Sequence, residues 1–133
     1  MHYEWLKNYQ KLEDEIADIE FNLERNKKEL KRWVEGDLTK VKLTSESHGA
    51  QLEEIIVATE RELAHKMNDL DDMKNLINTF RGLDNQILYK HHVEGKTLIS
   101  IADELEKSPN YIYNKHAQIM KMVKYKYAES VNG

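Results

Sequence analysis

Residues 5–33 read WLKNYQKLEDEIADIEFNLERNKKELKRW, and the spacing of their apolar members decides the fold class. Trp5, Tyr9, Leu12, Ile16, Ile19, Leu23, Asn26, Leu30 and Trp33 follow one another at alternating intervals of four and three residues. A strand would repeat every second residue. The alternation of four and three is the seven-residue repeat of a helix that turns one apolar seam to a partner helix. Asn26 is the polar exception on that seam. Gly36-Asp37 follows at once, and a glycine just past a helix takes the left-handed conformation that ends it.

A second run repeats the pattern with Leu52, Ile56, Thr59, Leu63, Lys66, Leu70, Met73, Ile77 and Phe80, and Gly82 closes it. A connector of about 15 residues cannot lead back along a helix about 45 Å long at 1.5 Å per residue, so the helices run antiparallel. Residues whose numbers sum to about 85 then face each other across the seam. Trp5 faces Phe80, Tyr9 Ile77, Leu12 Met73, Ile16 Leu70, Leu23 Leu63, Leu30 Ile56 or Ile55, and Trp33 Leu52. Asn26 falls opposite Thr59, the arrangement of a buried polar pair that fixes register. The connector, Gly36 to Gly49, alternates Leu38, Val41 and Leu43 with polar residues, which suits either a short extended piece or a plain loop. Ser45-Glu46-Ser47 offers N-caps for the second helix. The expected first domain is a coiled-coil-like antiparallel helical hairpin over residues 1–82, with helices at about 3–35 and 47–81. Phe21, Ile55, Met67 and Leu76 lie off the seam, and four such residues along one rod call for another surface, by self-association or by docking of the rest of the chain.

Composition agrees with an all-α chain. Of 133 residues, 40% are apolar and 33% charged, with one Pro and five Gly. The absence of Cys excludes disulfides, thiolate metal sites and cysteine nucleophiles, and suits a reducing cytoplasm. No stretch approaches the roughly 18 consecutive apolar residues of a membrane span. Met-His-Tyr-Glu-Trp has no basic start followed by an apolar run, so neither a secretion signal nor a membrane partner is expected. The net charge of −4 argues by itself against a nucleic-acid partner, but its distribution does not. Residues 1–80 carry 12 basic and 18 acidic groups, residues 81–133 carry 8 and 6, and from Lys107 onward five Lys stand against one Glu. The plainer reading of that segment is a lysine-rich solvated helix face.

After Gly82 the elements shorten into an expected three-helix domain over residues 83–133. Leu83–Glu94 reads as one helix with Leu83, Ile87, Leu88 and His91 inward. Gly95 and Lys96 break it, Thr97 caps the next helix, Leu98–Glu106, and Ile101, Ala102 and Leu105 line its inner face. Ser108 caps a last helix that starts at Pro109, where a missing N–H is harmless, and runs to about Ala128 with Ile112, His116, Ile119 and Val123 in one stripe.

The stretch TLISIADELEKSPNYI, residues 97–112, resembles the helix-turn-helix pattern T-x-x-x-I-A-x-x-L-x-x-S-x-x-x-V/I. Ala102 is small where the second helix crosses closely, and Ile101, Leu105 and Ile112 form the shared core. With Tyr89, His92 and Gly95-Lys96-Thr97 ahead of it, the likeness extends to region 4 of bacterial sigma factors and covers residues 83–126. Glu106 departs from the pattern where Gly is usual and Lys107 where an apolar residue is usual, which leaves the shape of the turn open. An acidic helical N-terminus followed by this motif resembles the small phage late transcription regulators of the ArpU/RinA type. That resemblance implies a sequence-specific regulator of late-gene promoters, with double-stranded DNA as partner.

In such proteins the N-terminal half of the second motif helix reads bases. Here the face opposite the apolar stripe carries Asn110, Asn114, Ala117 and Lys121, flanked by Tyr111, Tyr113 and Gln118. Asn114 and Gln118 suit paired hydrogen bonds to adenine, and Ala117 or a tyrosine ring suits a thymine methyl. Thr97, Lys107, Ser108, Lys115, Lys121 and Lys124, with Lys96 and Lys126, suit phosphates. About four phosphate contacts give a log–log salt slope near −3.6, weak for one module, so a dimer or a polymerase is needed to hold it on DNA. The alternative is an exposed polar face that reads nothing.

Other chemistry is not expected. No phosphate-binding or dinucleotide glycine motif and no H-E-x-x-H occurs. His91 and His92 are adjacent and point about 100° apart on an α-helix, so no shared metal and no cofactor is expected, and His116 reads as a packed core histidine. The carboxylates form a solvated face, with no catalytic pair and hence no enzyme expected. The competing readings are a phage small terminase subunit, which joins a helix-turn-helix to oligomerising helices, and a helical adaptor that binds protein through a degenerate motif.

Overall fold

The computed structural model describes the backbone of residues 3–35 and 42–132 and the side chains of residues 6–35 and 48–126. The chain is all-α, with no strand among the described residues. A 3-10 turn, Tyr3–Asn8, leads into α1, Tyr9–Val34. Then come α2, Lys42–Asn78, α3, Gly82–Leu88, a π turn, Tyr89–Val93, α4, Leu98–Glu104, and α5, Pro109–Asn132. No described helix is long and apolar enough to cross a membrane.

The heptad seams are the covered stripes of α1 and α2. Tyr9, Leu12, Ile16 and Leu23 are buried, and Ile19, Asn26, Leu30 and Trp33 are half-buried. On the second seam Leu52, Ile56, Met73, Ile77 and Phe80 are buried, and Thr59, Leu63, Lys66 and Leu70 half-buried. Leu6, outside the expected seam, is fully buried. The first turn is 3-10, with three residues per turn, so Leu6 rather than Trp5 falls in line with Tyr9. The Trp5 side chain lies outside the described residues, and so do Gly36, Asp37, Leu38 and Val41.

Contacts gather the chain into two compact units, one of residues 1–12 and 70–133, the other of residues 13–69. Their limits fall at Leu12 and Leu70, inside α1 and α2, rather than at Gly82.

Within residues 13–69 the two helices run antiparallel. Glu15 pairs with Lys66 at 2.9 Å, Lys27 with Glu60 at 3.4 Å and Glu29 with His48 at 3.2 Å. Lys66, the charged member of its seam, thus meets an acid across the helix pair. Asn26 and Thr59 are half-buried, each next to a member of the Lys27–Glu60 pair. The Thr59 hydroxyl donates to the Ile55 carbonyl of its own helix at 2.7 Å. Toward the open end the register slips by about a turn. Trp33 packs on His48, ring centroids 4.6 Å apart, rather than on Leu52, and Leu30 approaches Gly49.

Two expectations for the connector are corrected. The second helix starts at Lys42, not near residue 47, so Ser45-Glu46-Ser47 lies within the helix rather than ahead of it. Gly49 sits buried inside α2, where it faces Leu30 and Val34. The apolar repeat continues backward from Leu52 through Gly49, and packing overrides the local preference of glycine and serine for turns. Of the residues left off the seam, Phe21, Ile55 and Met67 are exposed and Leu76 is half-buried.

The other unit has its core in Ile87, Leu88, Ile101, Ala102, Ile112, Ile119 and Val123, all 1% exposed or less. Its corners are set by backbone conformation. Gly82 and Gly95 have φ of 61° and 75°, and a Cβ on Gly95 would fall on the Gln10 carboxamide, which donates to the Val93 carbonyl. The Asn85 amide donates to the Ile77 carbonyl at 3.0 Å and so satisfies a carbonyl at the end of α2.

Candidate nucleic-acid interface

The motif is built from its caps outward. The Thr97 hydroxyl accepts from the Ser100 N–H at 3.1 Å and starts α4. The Ser108 hydroxyl accepts from the Tyr111 N–H at 3.1 Å and starts α5, with Pro109 in the first turn. Between them the Lys107 N–H donates to the Ala102 carbonyl at 2.9 Å and the Glu106 N–H to the Asp103 carbonyl at 3.2 Å. These two bonds are the glycine-type ending of a helix, and Glu106 supplies the left-handed residue with φ 57°. The departure at Glu106 therefore leaves the turn shape of the motif intact. Lys107 faces outward and lies over the Tyr111 ring, 5.6 Å from its centroid.

Ile112, Ile119 and Val123 turn one side of α5 into the core. The other side is open. Asn110, Tyr111, Tyr113, Asn114, Ala117, Gln118, Lys121 and Lys124 are all exposed, as are Thr97, Lys107 and Ser108 near its start. Tyr111 and Tyr113 are 43% and 46% exposed, enough for either ring to lie against a partner. Lys115 differs from this set. It is half-buried, with its ammonium 3.5 Å from the Asp84 carboxylate, and ties α5 to α3.

Other lysines of the unit are also engaged. Lys96 lies 2.7 Å from Glu104 and 3.5 Å from Glu94, and Lys90 is 3.5 Å from Glu104. The Lys96 hydrogen bond holds the Glu104 carboxyl below the usual range, and Glu104 in turn raises the Lys96 ammonium. Lys126 donates to the Thr79 hydroxyl at 3.0 Å and lies over the Phe80 ring.

The histidines on the other side of α5 depart from the sequence reading. The expected helix Leu83–Glu94 is interrupted, because the Glu94 N–H donates to the Tyr89 carbonyl, five residues back. A π turn is wider than an α turn, so adjacent side chains diverge by less than 100°. His91 and His92 accordingly converge, their ring centroids 4.8 Å apart, and His116 of α5 closes the group at 4.9 and 5.4 Å from them. His92, expected to point away, is the buried polar residue of the described core, 5% exposed. Burial, then the neighbouring His91, His116 and Lys7, push its pKa down to about 3. Burial, His91 and Lys7 push His116 down to about 4. The Tyr-x-x-His spacing marked His92 as part of the motif, but nothing in it signalled a π turn.

Comparison with protein-family models, with curated proteins and with solved structures gives no match.

Proposed function

We propose that the chain is a cytoplasmic, sequence-specific DNA-binding transcription regulator of the phage late-promoter type. It enters the major groove with the helix that starts at Pro109. The observation that carries this reading is the exposed face of α5: three amides, Asn110, Asn114 and Gln118, a small residue, Ala117, and two tyrosines, on a helix held from behind by Ile112, Ile119 and Val123. A rigid helix with an open polar face beside exposed lysines has what base reading requires.

The division of labour follows from side-chain chemistry. Asn114 and Gln118 each offer one donor and one acceptor to an adenine edge, and Ala117 leaves room for a thymine methyl. Lys107, Lys121 and Lys124 meet phosphates, with the hydroxyls of Thr97 and Ser108 beside them. Each phosphate contact adds only about −0.9 to the salt slope, so paired half-sites read by a homodimer, or a hold from RNA polymerase, supply the rest. Phe21, Ile55 and Met67, each close to half exposed or more, offer apolar surface for self-association.

The test is binding of the purified chain to fragments of its own genomic neighbourhood against unrelated competitor DNA, with the mass of the complex measured by light scattering. The expected result is a dimer that prefers one fragment. Asn114→Ala should cut that preference by about 1–3 kcal/mol. Binding that never exceeds competitor DNA would overturn the reading in favour of a protein-binding helix-turn-helix, and a ring-sized oligomer would favour DNA packaging.

A further inference from the structure

We infer that His91, His92 and His116 form a binding site for a divalent transition-metal ion of the zinc class, with one coordination position open to solvent. The inference is independent of whether the chain binds DNA. One ring nitrogen from each histidine lies within 4.8 Å of the other two. The Nε2 atoms of His92 and His116 are 3.2 Å apart, close to the edge of a tetrahedron with metal–nitrogen bonds of about 2.0–2.1 Å.

The outer groups fit as well. His91 Nδ1–H donates to the Lys96 carbonyl at 2.7 Å, which leaves its Nε2 lone pair free and fixes the ring. A carbonyl that orients a ligating imidazole in this way is the usual support of a zinc site. One of the two facing nitrogens of His92 and His116 donates its proton to the other, and the donating ring changes tautomer when a metal takes that proton's place.

Burial lowers the pKa of His92 and of His116 and so favours their neutral, metal-binding form, and His91 and His116 remain half-exposed and so provide the way in. Three neutral nitrogens with no thiolate or carboxylate suit zinc, cobalt or nickel rather than calcium or magnesium. The Lys7 ammonium, which disfavours positive charge on His92 and His116, opposes the ion in the same way. The π turn at Tyr89–Val93 is what brings adjacent histidines to one centre, and π turns are frequent at functional sites. A bound ion would clamp that turn to α5.

The test uses the full, untagged chain freed of metal by a chelator. Zinc binding is followed by calorimetry and by the thermal midpoint, and cobalt by its visible ligand-field bands. One equivalent per chain, a midpoint that rises with zinc concentration and a tetrahedral cobalt spectrum are expected. His116→Gln and His91→Gln should each weaken binding about 100-fold or more, since loss of a supporting group alone costs 10–100-fold. Lys7→Gln should tighten it, and His65→Gln, exposed on α2, should leave it unchanged. If His116→Gln loses its helical circular dichroism, the half-exposed His91→Gln carries the comparison. Zinc bound equally by the wild type and by both ligand variants, or no zinc bound below millimolar concentration, would overturn the site and leave a packed imidazole–imidazole hydrogen bond.

Discussion

Glu106 holds a φ of 57° between α4 and α5, a conformation in which an L side chain crowds the following carbonyl. Glu106→Gly should therefore raise stability in urea by about 0.5–1 kcal/mol, with no change in the helix ends. A loss of stability would show that the Glu106 side chain contributes more than its backbone costs. The histidines give a second expectation at this scale. His92 and His116 titrate near 3 and 4 in the folded chain, below the 6.5 of an unfolded histidine, so between these values the unfolded chain binds more protons. Their contribution is complete above about pH 6.5 and is lost as pH falls toward 3–4, at up to about 1.4 kcal/mol per pH unit for each proton. Denaturation of the metal-free chain from pH 7.5 to 4.5 should show this decline, and His116→Gln should make it shallower.

Among the elements, α2 carries an avoidable weakness at Gly49. A Cβ there would meet Leu30 and Val34 at 3.8 and 4.0 Å, ordinary contact distances, and the backbone is helical. Gly49→Ala should stabilise the chain by about 0.5–1 kcal/mol, read from the urea midpoint. Ser108→Ala should do the opposite at α5, by about 1 kcal/mol, as it removes the bond to the Tyr111 N–H. The seams of α1 and α2, both caps of the helix-turn-helix and the core stripe of α5 were legible in the sequence, because periodic burial and capping are local signals. The start of α2 was not, because Ser45, Ser47 and Gly49 have turn preferences that packing along the seam overrides. Leu6 escaped notice because a heptad assumes α pitch, and the first turn is 3-10. The histidine cluster was hidden for the same kind of reason. The π turn brings His91 and His92 together against His116 of α5, distant in sequence, and the α-helical angle between His91 and His92 concealed their approach.

For the whole molecule, the central claim is that the open side of α5 reads DNA. The exposed face of amides and lysines was legible in the sequence, while the engagement of Lys115 by Asp84 and of Lys96 by Glu104 was not, because those partners lie on other elements. The most direct measurement is the dissociation constant for the preferred fragment and for competitor DNA, from 50 to 200 mM salt, for the wild type, Asn114→Ala and Lys121→Ala. Lys121→Ala should weaken both DNAs alike and make the log–log salt slope shallower by about 0.9, the loss of one phosphate contact. Asn114→Ala should leave that slope unchanged and reduce only the preference. Identical slopes and preferences in all three proteins would contradict the claim and leave α5 a solvated helix.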